Sequence, residues 1–296
     1  MARRESQIVL GLDPDPLRLW PAAADAPLPA GAAATPAALA AAGVLAHCRA
    51  VIDAVGEAVV AVKPQIACFE RLGAPGWDAL QQVTDHARAA GLLVLADGKR
   101  GDIDVTATAY AQGFLGATPS PGGAVAGLGA DLLTVAPYMG PDTLRSFAAV
   151  AREHGAGIVV LVRTSNPGAA DLEDAELAGG GTVWERVARM VAELGDEHVG
   201  PESGLTDVGA VLGATQPEHL RRARELLPRT IFLLPGVGAQ GGRVEDLAPA
   251  FAPGRAAGLV TASRSIVGAH AATGDAPAAA ARAEAERLRA AAWTLT

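Results

Sequence analysis

The sequence predicts an α/β protein folded as a single (β/α)8 barrel. Its 296 residues contain eight apolar, β-branched runs, and these alternate with Ala-, Leu-, Glu- and Arg-rich segments of helical period. Strands that alternate with helices form a parallel sheet, and eight such units match a closed barrel. An open, doubly wound sheet is the alternative, but the count of eight favours the barrel.

The predicted strands are apolar at successive positions, as strands buried on both faces are. They cover residues 8–13, 59–63, 92–97, 132–136, 157–162, 208–213, 230–234 and 258–262. Helices are expected at 36–55, 77–90, 105–115, 142–154, 183–194, 217–227, 244–251 and 277–292, with the weakest pattern at 105–115. No composition break separates domains, so residues 1–296 are expected to form one domain, with loops inserted near 14–36, 117–129 and 165–181.

Composition excludes several classes of partner. A formal net charge of -8 opposes the basic surface that nucleic-acid binding needs. Cys48 and Cys68 have no metal-binding or disulfide-framework spacing, which fits a reducing compartment. The N-terminus lacks the apolar core of a signal peptide, and we expect no segment that spans a membrane. The sequence therefore predicts a cytoplasmic protein with no nucleic-acid and no membrane partner.

Lysine is almost absent from the chain. Lysine occurs only at Lys63 and Lys99, whereas arginine occupies 22 positions. Lys63 ends one predicted strand and Lys99 follows the next, at the barrel face where active sites form. Codon bias is the alternative explanation for the scarcity of lysine, but it gives no reason for both lysines to fall on so small a face, where a compact and titratable ammonium differs chemically from a guanidinium.

The segment DGKRGD adds carboxylates to this face. Asp97 and Lys99 lie two residues apart at a strand end, where their side chains point the same way, and Asp102 follows. With Lys63 on the adjacent strand, these charges can keep one another ionised in a dry pocket. A purely structural ion-pair network at the barrel rim is the alternative interpretation.

Histidine chemistry is not expected at this face. The six histidines fall in helices or loops away from the predicted strand ends, and we expect them on surface helices. A histidine-rich metal site and a nucleophilic triad are therefore both unsupported.

The last two strands are followed by a phosphate-binding pattern. The run PGVGAQGG begins at Pro235 and includes Gln240, and Ser263 with Arg264 follows the final strand. Glycine-rich loops after strands seven and eight bind phosphate in many barrels, and arginine adds a bidentate contact. The run also matches GxGxxG, but a dinucleotide site would need an acidic residue that is missing after strand eight.

Together these segments resemble the orotidine 5′-phosphate decarboxylase family, in its longer bacterial branch. The resemblance runs in order through GLD at Asp13, VKPQ at Lys63, ADGKRGDI around Lys99, VAPYMG, TSNPG at Ser165 and PGVGAQGG. It implies a homodimeric barrel with a shared active site that converts orotidine 5′-monophosphate (OMP) to UMP and CO2 in pyrimidine biosynthesis, without a cofactor or metal.

The resemblance also implies roles for individual residues. Lys63, Asp97, Lys99 and Asp102 would be catalytic, with Lys99 stabilising and protonating the C6 carbanion. Asp102 and Thr106 would reach the partner subunit's site. Substrate would be bound by Asp13, Thr106, Ser165, Pro235, Gln240, Ser263 and Arg264.

One position departs from the family pattern, and one related family remains as an alternative. Arg243 stands where the resemblance leads us to expect an acidic residue beside the phosphate loop. Magnesium-dependent barrels of the same lineage, which act on keto-sugar phosphates as decarboxylases or aldolases, share DxKxxD. They hold the metal with a glutamate at the end of strand two, where this chain has Lys63. A catalytically silent phosphate-binding barrel is a further alternative.

Overall fold

The computed structural model describes residues 1–28, 30–31, 33–214, 216–237 and 241–295. Within these residues, eight parallel strands close into a barrel, because the last strand pairs with the first. The strands, labelled β1 to β8, are Ile8–Leu12, Ala61–Pro64, Leu93–Arg100, Leu132–Val135, Gly157–Arg163, Val208–Leu212, Phe232–Leu234 and Gly258–Ala262. The predicted fold class is therefore confirmed, and the main difference lies in β3, which extends three residues beyond the predicted end.

Seven long helices surround the described barrel. Labelled α1 to α7, they are Pro36–Val55, Ala74–Ala89, Asp104–Leu115, Pro141–Glu153, Val183–Gly195, Pro217–Leu226 and Pro277–Trp293. The helix predicted at 105–115 is confirmed as α3. Side chains cap two of the helices: Thr35 accepts from the Ala38 N–H in α1, and Thr182 with Glu185 forms a capping box in α5.

The segment predicted as a helix at 244–251 is a 3-10 helix instead, Val244–Phe251. Pro249 lies inside it and has no N–H to donate, which disfavours a continuous α-helix. The buried Arg224 of α6 holds this segment by donating to the Ala250 carbonyl, and its guanidinium lies 3.6 Å from the Phe232 ring centroid. Because β7 contains Phe232, Arg224 ties the irregular segment to the barrel.

Alternation along the strands separates two hydrophobic cores. A small cluster that includes Val9, Leu95 and Leu259 lies inside the barrel, and a larger one lies between strands and helices. Side chains two residues further along a strand point the same way. This phase directs Asp97, which follows Leu95, and Ser263, which follows Leu259 and Thr261, toward the mouth at the carboxyl ends.

The three predicted insertions carry short elements. The region near 14–36 contains the helix Pro21–Ala24, and the region near 165–181 contains the helix Ala169–Leu172. The region 117–129 forms a two-stranded antiparallel ribbon from Ala117–Thr118 and Val125–Ala126. The remaining short elements are Ala2–Arg4, Ile66–Glu70, Arg255–Ala257, Arg264–Val267 and His270–Thr273.

Helix α1 has the length and composition of a membrane span, although no such segment is expected from the sequence. It is long and apolar enough to cross a membrane, with a mean hydropathy of 1.6. Half of this stretch is buried, and α1 packs against α2 and α7. Its apolar side chains, among them Val44, Val51 and Ile52, belong to the core between strands and helices.

Candidate active site

Strands β2 and β3 bring the two lysines of the chain onto one carboxylate. Lys63 Nζ lies 2.5 Å from Asp97 Oδ2, and Lys99 Nζ lies 2.6 Å from Asp97 Oδ1. Lys63 and Asp97 are each 6% exposed, whereas the Lys99 side chain is 46% exposed. The predicted cluster of Lys63, Asp97 and Lys99 therefore forms, with Lys99 reaching into the open mouth.

This arrangement keeps the central carboxylate ionised. Burial by itself would raise the pKa of Asp97, but the charges and hydrogen bonds of Lys63 and Lys99 outweigh burial and lower the pKa to about 2. Near neutral pH the cluster contains one buried carboxylate between two cations. Lys99 therefore has a fixed anionic partner on one side and open space on the other.

Two further donors complete the shell of Asp97, and the sequence analysis missed both. Gln65 Nε2 donates to Asp97 Oδ2 over 3.1 Å, and Thr134 Oγ1 donates to Asp97 Oδ1 over 3.0 Å. Strand phase could have found them. Gln65 lies two residues after Lys63, and Thr134 is the one polar residue of the apolar run LLTVA.

The backbone at Lys99 is unusual. The pairing of β3 with β4 shifts register between Ala96 and Arg100, and Lys99 has a φ of +47°. This left-handed conformation is uncommon for a residue with a side chain. Its N–H donates to Thr134 Oγ1 over 2.9 Å, so β4 supports the irregular segment.

Asp102 and Thr106 do not join the cluster within the subunit. The Asp102 carboxylate accepts from the Ile103 N–H over 2.8 Å, and among the described residues it pairs with neither lysine. Thr106 is exposed in the first turn of α3. Both lie at the edge of the mouth, so their roles at a partner's site stay predictions.

Asp13 and Ser263 meet where β1 and β8 end. The Ser263 hydroxyl donates to Asp13 Oδ2. Gly11 makes this approach possible, because a Cβ at that position would lie 2.6 Å from the Ser263 Cβ. The two predicted substrate contacts are thus adjacent, at the strand ends beside Lys63, since β1 also pairs with β2.

Ser165 lines a small cavity of about 160 Å³ after β5. Gly213, at the end of β6, also lines it, and a Cβ there would lie 3.1 Å from the Ser165 Cα. Because the backbones of two neighbouring strand ends approach so closely, the position of Ser165 is defined by packing.

A buried arginine holds the loop that follows Ser165. Arg163 donates to both carboxylate oxygens of Asp174, over 2.9 and 2.8 Å. Glu173 accepts from the Thr164 N–H over 2.8 Å. These bonds fold the segment after residue 165 back onto the end of β5.

The predicted phosphate residues are partly described. Pro235 follows β7, and its carbonyl accepts from the Ala214 N–H over 2.9 Å. Arg264 is exposed at the start of a short helix, and within the described residues it has no hydrogen-bond or ion-pair partner. Gln240 lies outside the described residues. Arg243, the departure from the family pattern, pairs with Glu245 at 3.5 Å on the surface.

Two histidines contradict the expectation that all six lie on surface helices away from the site. His47 of α1 is buried and accepts from the Trp20 N–H over 3.0 Å. His219, near the start of α6, lines the cavity at Ser165. Helix α6 begins at Pro217, soon after β6 ends at Leu212, which brings His219 in its first turn close to the mouth, whereas His47 lies in the middle of α1. Within the described parts of the chain, no three His, Cys, Asp or Glu side chains are grouped as metal ligands.

A second cavity, of about 800 Å³, lies at the opposite end of the barrel. Its lining includes Val60, Leu93, Gly157, Gly209 and Ile231, which stand at or near the amino ends of their strands. Gly157 and Gly209 share the strand phase of the inward-facing Val159 and Val211 and offer no side chain to fill the interior. This cavity is remote from the lysine cluster.

Known proteins resemble this chain in both sequence and structure. Residues 6–283 match the model of the "Orotidine 5'-phosphate decarboxylase / HUMPS family". The orotidine 5′-phosphate decarboxylase of Rhodopirellula baltica is 46% identical over 226 residues, which are 75% of this chain and 72% of that protein. The Deinococcus radiodurans enzyme is 47% identical over 216 residues, covering 73% of this chain and 74% of the relative.

A solved structure agrees with these relatives. The OMP decarboxylase of Leishmania donovani is 30% identical, with a TM-score of 0.70, and the match covers 99% of this chain and 97% of that one. The family match spans both the lysine cluster and the loops that follow β7 and β8. The chain therefore belongs to the orotidine 5′-phosphate decarboxylase / HUMPS family.

Proposed function

We propose that this protein is an orotidine 5′-phosphate decarboxylase, a carboxy-lyase of pyrimidine biosynthesis that converts OMP to UMP and CO2. The observation that carries the proposal is the pairing of the chain's two lysines with the single buried carboxylate of Asp97, at the face where barrel enzymes act. The named relatives, up to 47% identical, support the same activity.

The site offers a separate contact for each part of the substrate. Arg264, which has no partner among the described residues, would bind the phosphate with Gln240 and the loop that follows Pro235. Asp13 and Ser263 would bind the ribose hydroxyls, and Ser165 the pyrimidine. The reacting carbon, C6, would then lie at Lys99.

The chemistry requires electrostatic stabilisation. The bond between C6 and the carboxylate carbon breaks, CO2 leaves, and the electron pair stays on C6. The Lys99 ammonium stabilises this carbanion and transfers a proton from Nζ to C6, and solvent then reprotonates the amine. Asp97, together with the partner's Asp102, would place negative charge beside the substrate carboxylate and disfavour the ground state.

The magnesium-dependent keto-sugar-phosphate reaction is disfavoured by Lys63. Its ammonium stands where those enzymes carry a metal-binding glutamate, and it is already bound to Asp97 at 2.5 Å. A cation at that point repels a divalent metal.

Formation of UMP and CO2 from OMP, measured with and without EDTA, tests the activity. We expect turnover that EDTA leaves unchanged. Lys99→Arg should lower kcat by about three powers of ten or more, because a guanidinium is a poor proton donor near neutral pH, while UMP binding stays measurable. Near-wild-type turnover of this variant, or activity that needs magnesium, would contradict the assignment.

We also propose a homodimer in which each site receives Asp102 and Thr106 from the partner. An exposed apolar patch surrounds Asp102: Ile103 is 57% exposed, Val105 75% and Tyr138 87%. Met139 is next to Gly101, which places this patch at the mouth. Exposed apolar surface beside a charged site is typical of an interface.

A cytoplasmic location without nucleic-acid or membrane partners completes the proposal. Cys48 and Cys68 are both free thiols, as in a reducing compartment, and the net charge is -8. Recovery of the enzyme in a washed membrane fraction, or retention on DNA at physiological salt, would contradict this part.

A further inference from the structure

We propose that Thr134 is a positioning residue that holds Lys99 for proton transfer, an inference that rests on the proposed decarboxylase function. Thr134 lies on β4 and contacts the lysine–Asp97 cluster through its hydroxyl. The proposed substrate contacts do not include this hydroxyl. It is 1% exposed.

The hydroxyl joins two parts of the cluster. Thr134 Oγ1 donates its one proton to Asp97 Oδ1 over 3.0 Å, and it accepts the Lys99 N–H over 2.9 Å. Asp97 Oδ1 also receives Lys99 Nζ over 2.6 Å. Lys99 is therefore fixed at both ends, its backbone by Thr134 and its ammonium by the carboxylate that Thr134 orients.

Lys99 needs such support for two reasons. Its side chain is half exposed, so packing alone does not restrict a chain with four rotatable bonds. Its backbone is left-handed at a register shift, where the ordinary bonds of β3 with β4 are interrupted. Without the Thr134 acceptor, the Lys99 N–H loses the partner that holds this conformation.

Loss of the hydroxyl should affect the chemical step more than substrate binding. Lys63 and Lys99 still keep Asp97 ionised, and Arg264, Asp13 and Ser263 still face the substrate. The position of the Lys99 ammonium relative to C6 becomes less defined, and rates are sensitive to displacements of about 1 Å. We therefore expect a lower kcat with little change in KM.

Four variants and the wild type test this inference. Thr134→Val removes the hydroxyl and keeps the shape, Thr134→Ala removes it without placing a methyl group against the carboxylate, and Thr134→Ser keeps it. Thr84→Val is the matched control. Thr84 is a buried threonine in α2 whose hydroxyl has no partner among the described residues.

Steady-state kinetics on OMP and calorimetric titration with UMP give the readouts. We expect Thr134→Val and Thr134→Ala to lower kcat about 10- to 100-fold, with KM within about threefold of wild type and one UMP bound per subunit. Thr134→Ser and Thr84→Val should stay within about threefold of wild type. The UMP stoichiometry separates a slow site from a smaller folded fraction.

Three results would overturn the inference while leaving the decarboxylase assignment intact. They are full kcat in both hydroxyl-free variants, a serine variant as slow as the valine variant, or a loss confined to UMP stoichiometry. Should Thr134→Val not fold, Thr134→Ala and Thr134→Ser decide between the outcomes. An inactive wild type would instead overturn the proposed function, and the inference with it.

Discussion

Individual side chains show which charges at the mouth are already satisfied and which remain available. Asp97 binds both lysines, and Arg163 is paired with Asp174. Arg264, by contrast, is exposed and has no partner in the described chain. An exposed guanidinium at the end of β8 is suited to an anion that arrives from solution.

Replacing Arg264 tests whether that anion is the substrate phosphate. Arg264→Ala should lower kcat/KM on OMP by roughly two to three powers of ten, equivalent to ~3 to 4 kcal/mol for a charge-assisted contact. The slow reaction of orotidine, which lacks the phosphate, should barely change. Steady-state assays on both substrates provide the measurement, and equal losses on the two would show that Arg264 supports the fold or the ring site.

Among the elements, the loop after β1 connects α1 to the short helix that carries Arg264, through Trp20. His47 of α1 accepts the Trp20 N–H, and Trp20 Nε1 donates to the Val267 carbonyl over 3.0 Å. Trp20 thus bonds to α1 on one side and to the helix Arg264–Val267 on the other. Because burial lowers the pKa of His47 to about 4, this histidine is neutral in the folded protein near pH 7.

This linkage predicts pH-dependent stability. His47 has an ordinary pKa of 6.5 when unfolded and about 4 when folded, so below pH 6.5 the unfolded state gains a proton that the folded state does not. The contribution of His47 to the free energy of unfolding is fully present above pH 6.5 and is lost as the pH falls toward 4. The total loss is about 3 kcal/mol.

The variant His47→Asn keeps an acceptor near Trp20 and removes this titration. Chemical denaturation at pH 8 and pH 5 should show a smaller drop in unfolding free energy for the variant, by about 2 kcal/mol. An equal pH dependence in both proteins would assign the acid sensitivity to other groups.

For the whole molecule, the sequence predicted the positions of side chains best where a single rule, such as the alternation of side chains along a strand, determines them. Strand phase and the scarcity of lysine located Lys63, Asp97 and Lys99 correctly. Tertiary detail was harder to foresee. The register shift that gives Lys99 a positive φ depends on how two strands pair, and so does the bond from the Lys99 N–H to Thr134, although strand phase alone marks Thr134 as a polar residue in an apolar run.

Asp102 marks a limit of a different kind. Its spacing in DxKxxD groups it with the charges of Asp97 and the lysines, but within one subunit its carboxylate bonds to the Ile103 N–H. A single chain carries no information on which carboxylate a partner supplies. The exposed residues Ile103, Val105 and Tyr138 around it show only that the surface is suited to a partner.

Subunit mixing tests whether the site is shared. Lys99→Ala and Asp102→Asn homodimers should both be nearly inactive, because every site lacks one catalytic group. In a mixed dimer one site carries both lesions and the other neither, so statistical exchange should restore about a quarter of wild-type activity. Turnover of OMP is measured after exchange has been verified with two differently tagged chains.

The reverse mixture should lower the activity instead of restoring it, which excludes an effect of subunit exchange itself. A Lys99→Ala/Asp102→Asn double variant mixed with wild type places one lesion in each site of the mixed dimer if the site is shared. In a 1:1 mixture, activity should then be about a quarter of that of the same amount of wild-type protein, rather than the half expected if each subunit used its own Asp102. Recovery in the first mixture together with loss in the second requires Asp102 to act across the interface. No recovery in the first mixture, with half the activity kept in the second, would place Asp102 at its own subunit's lysines and require the loop at residues 101–104 to turn inward.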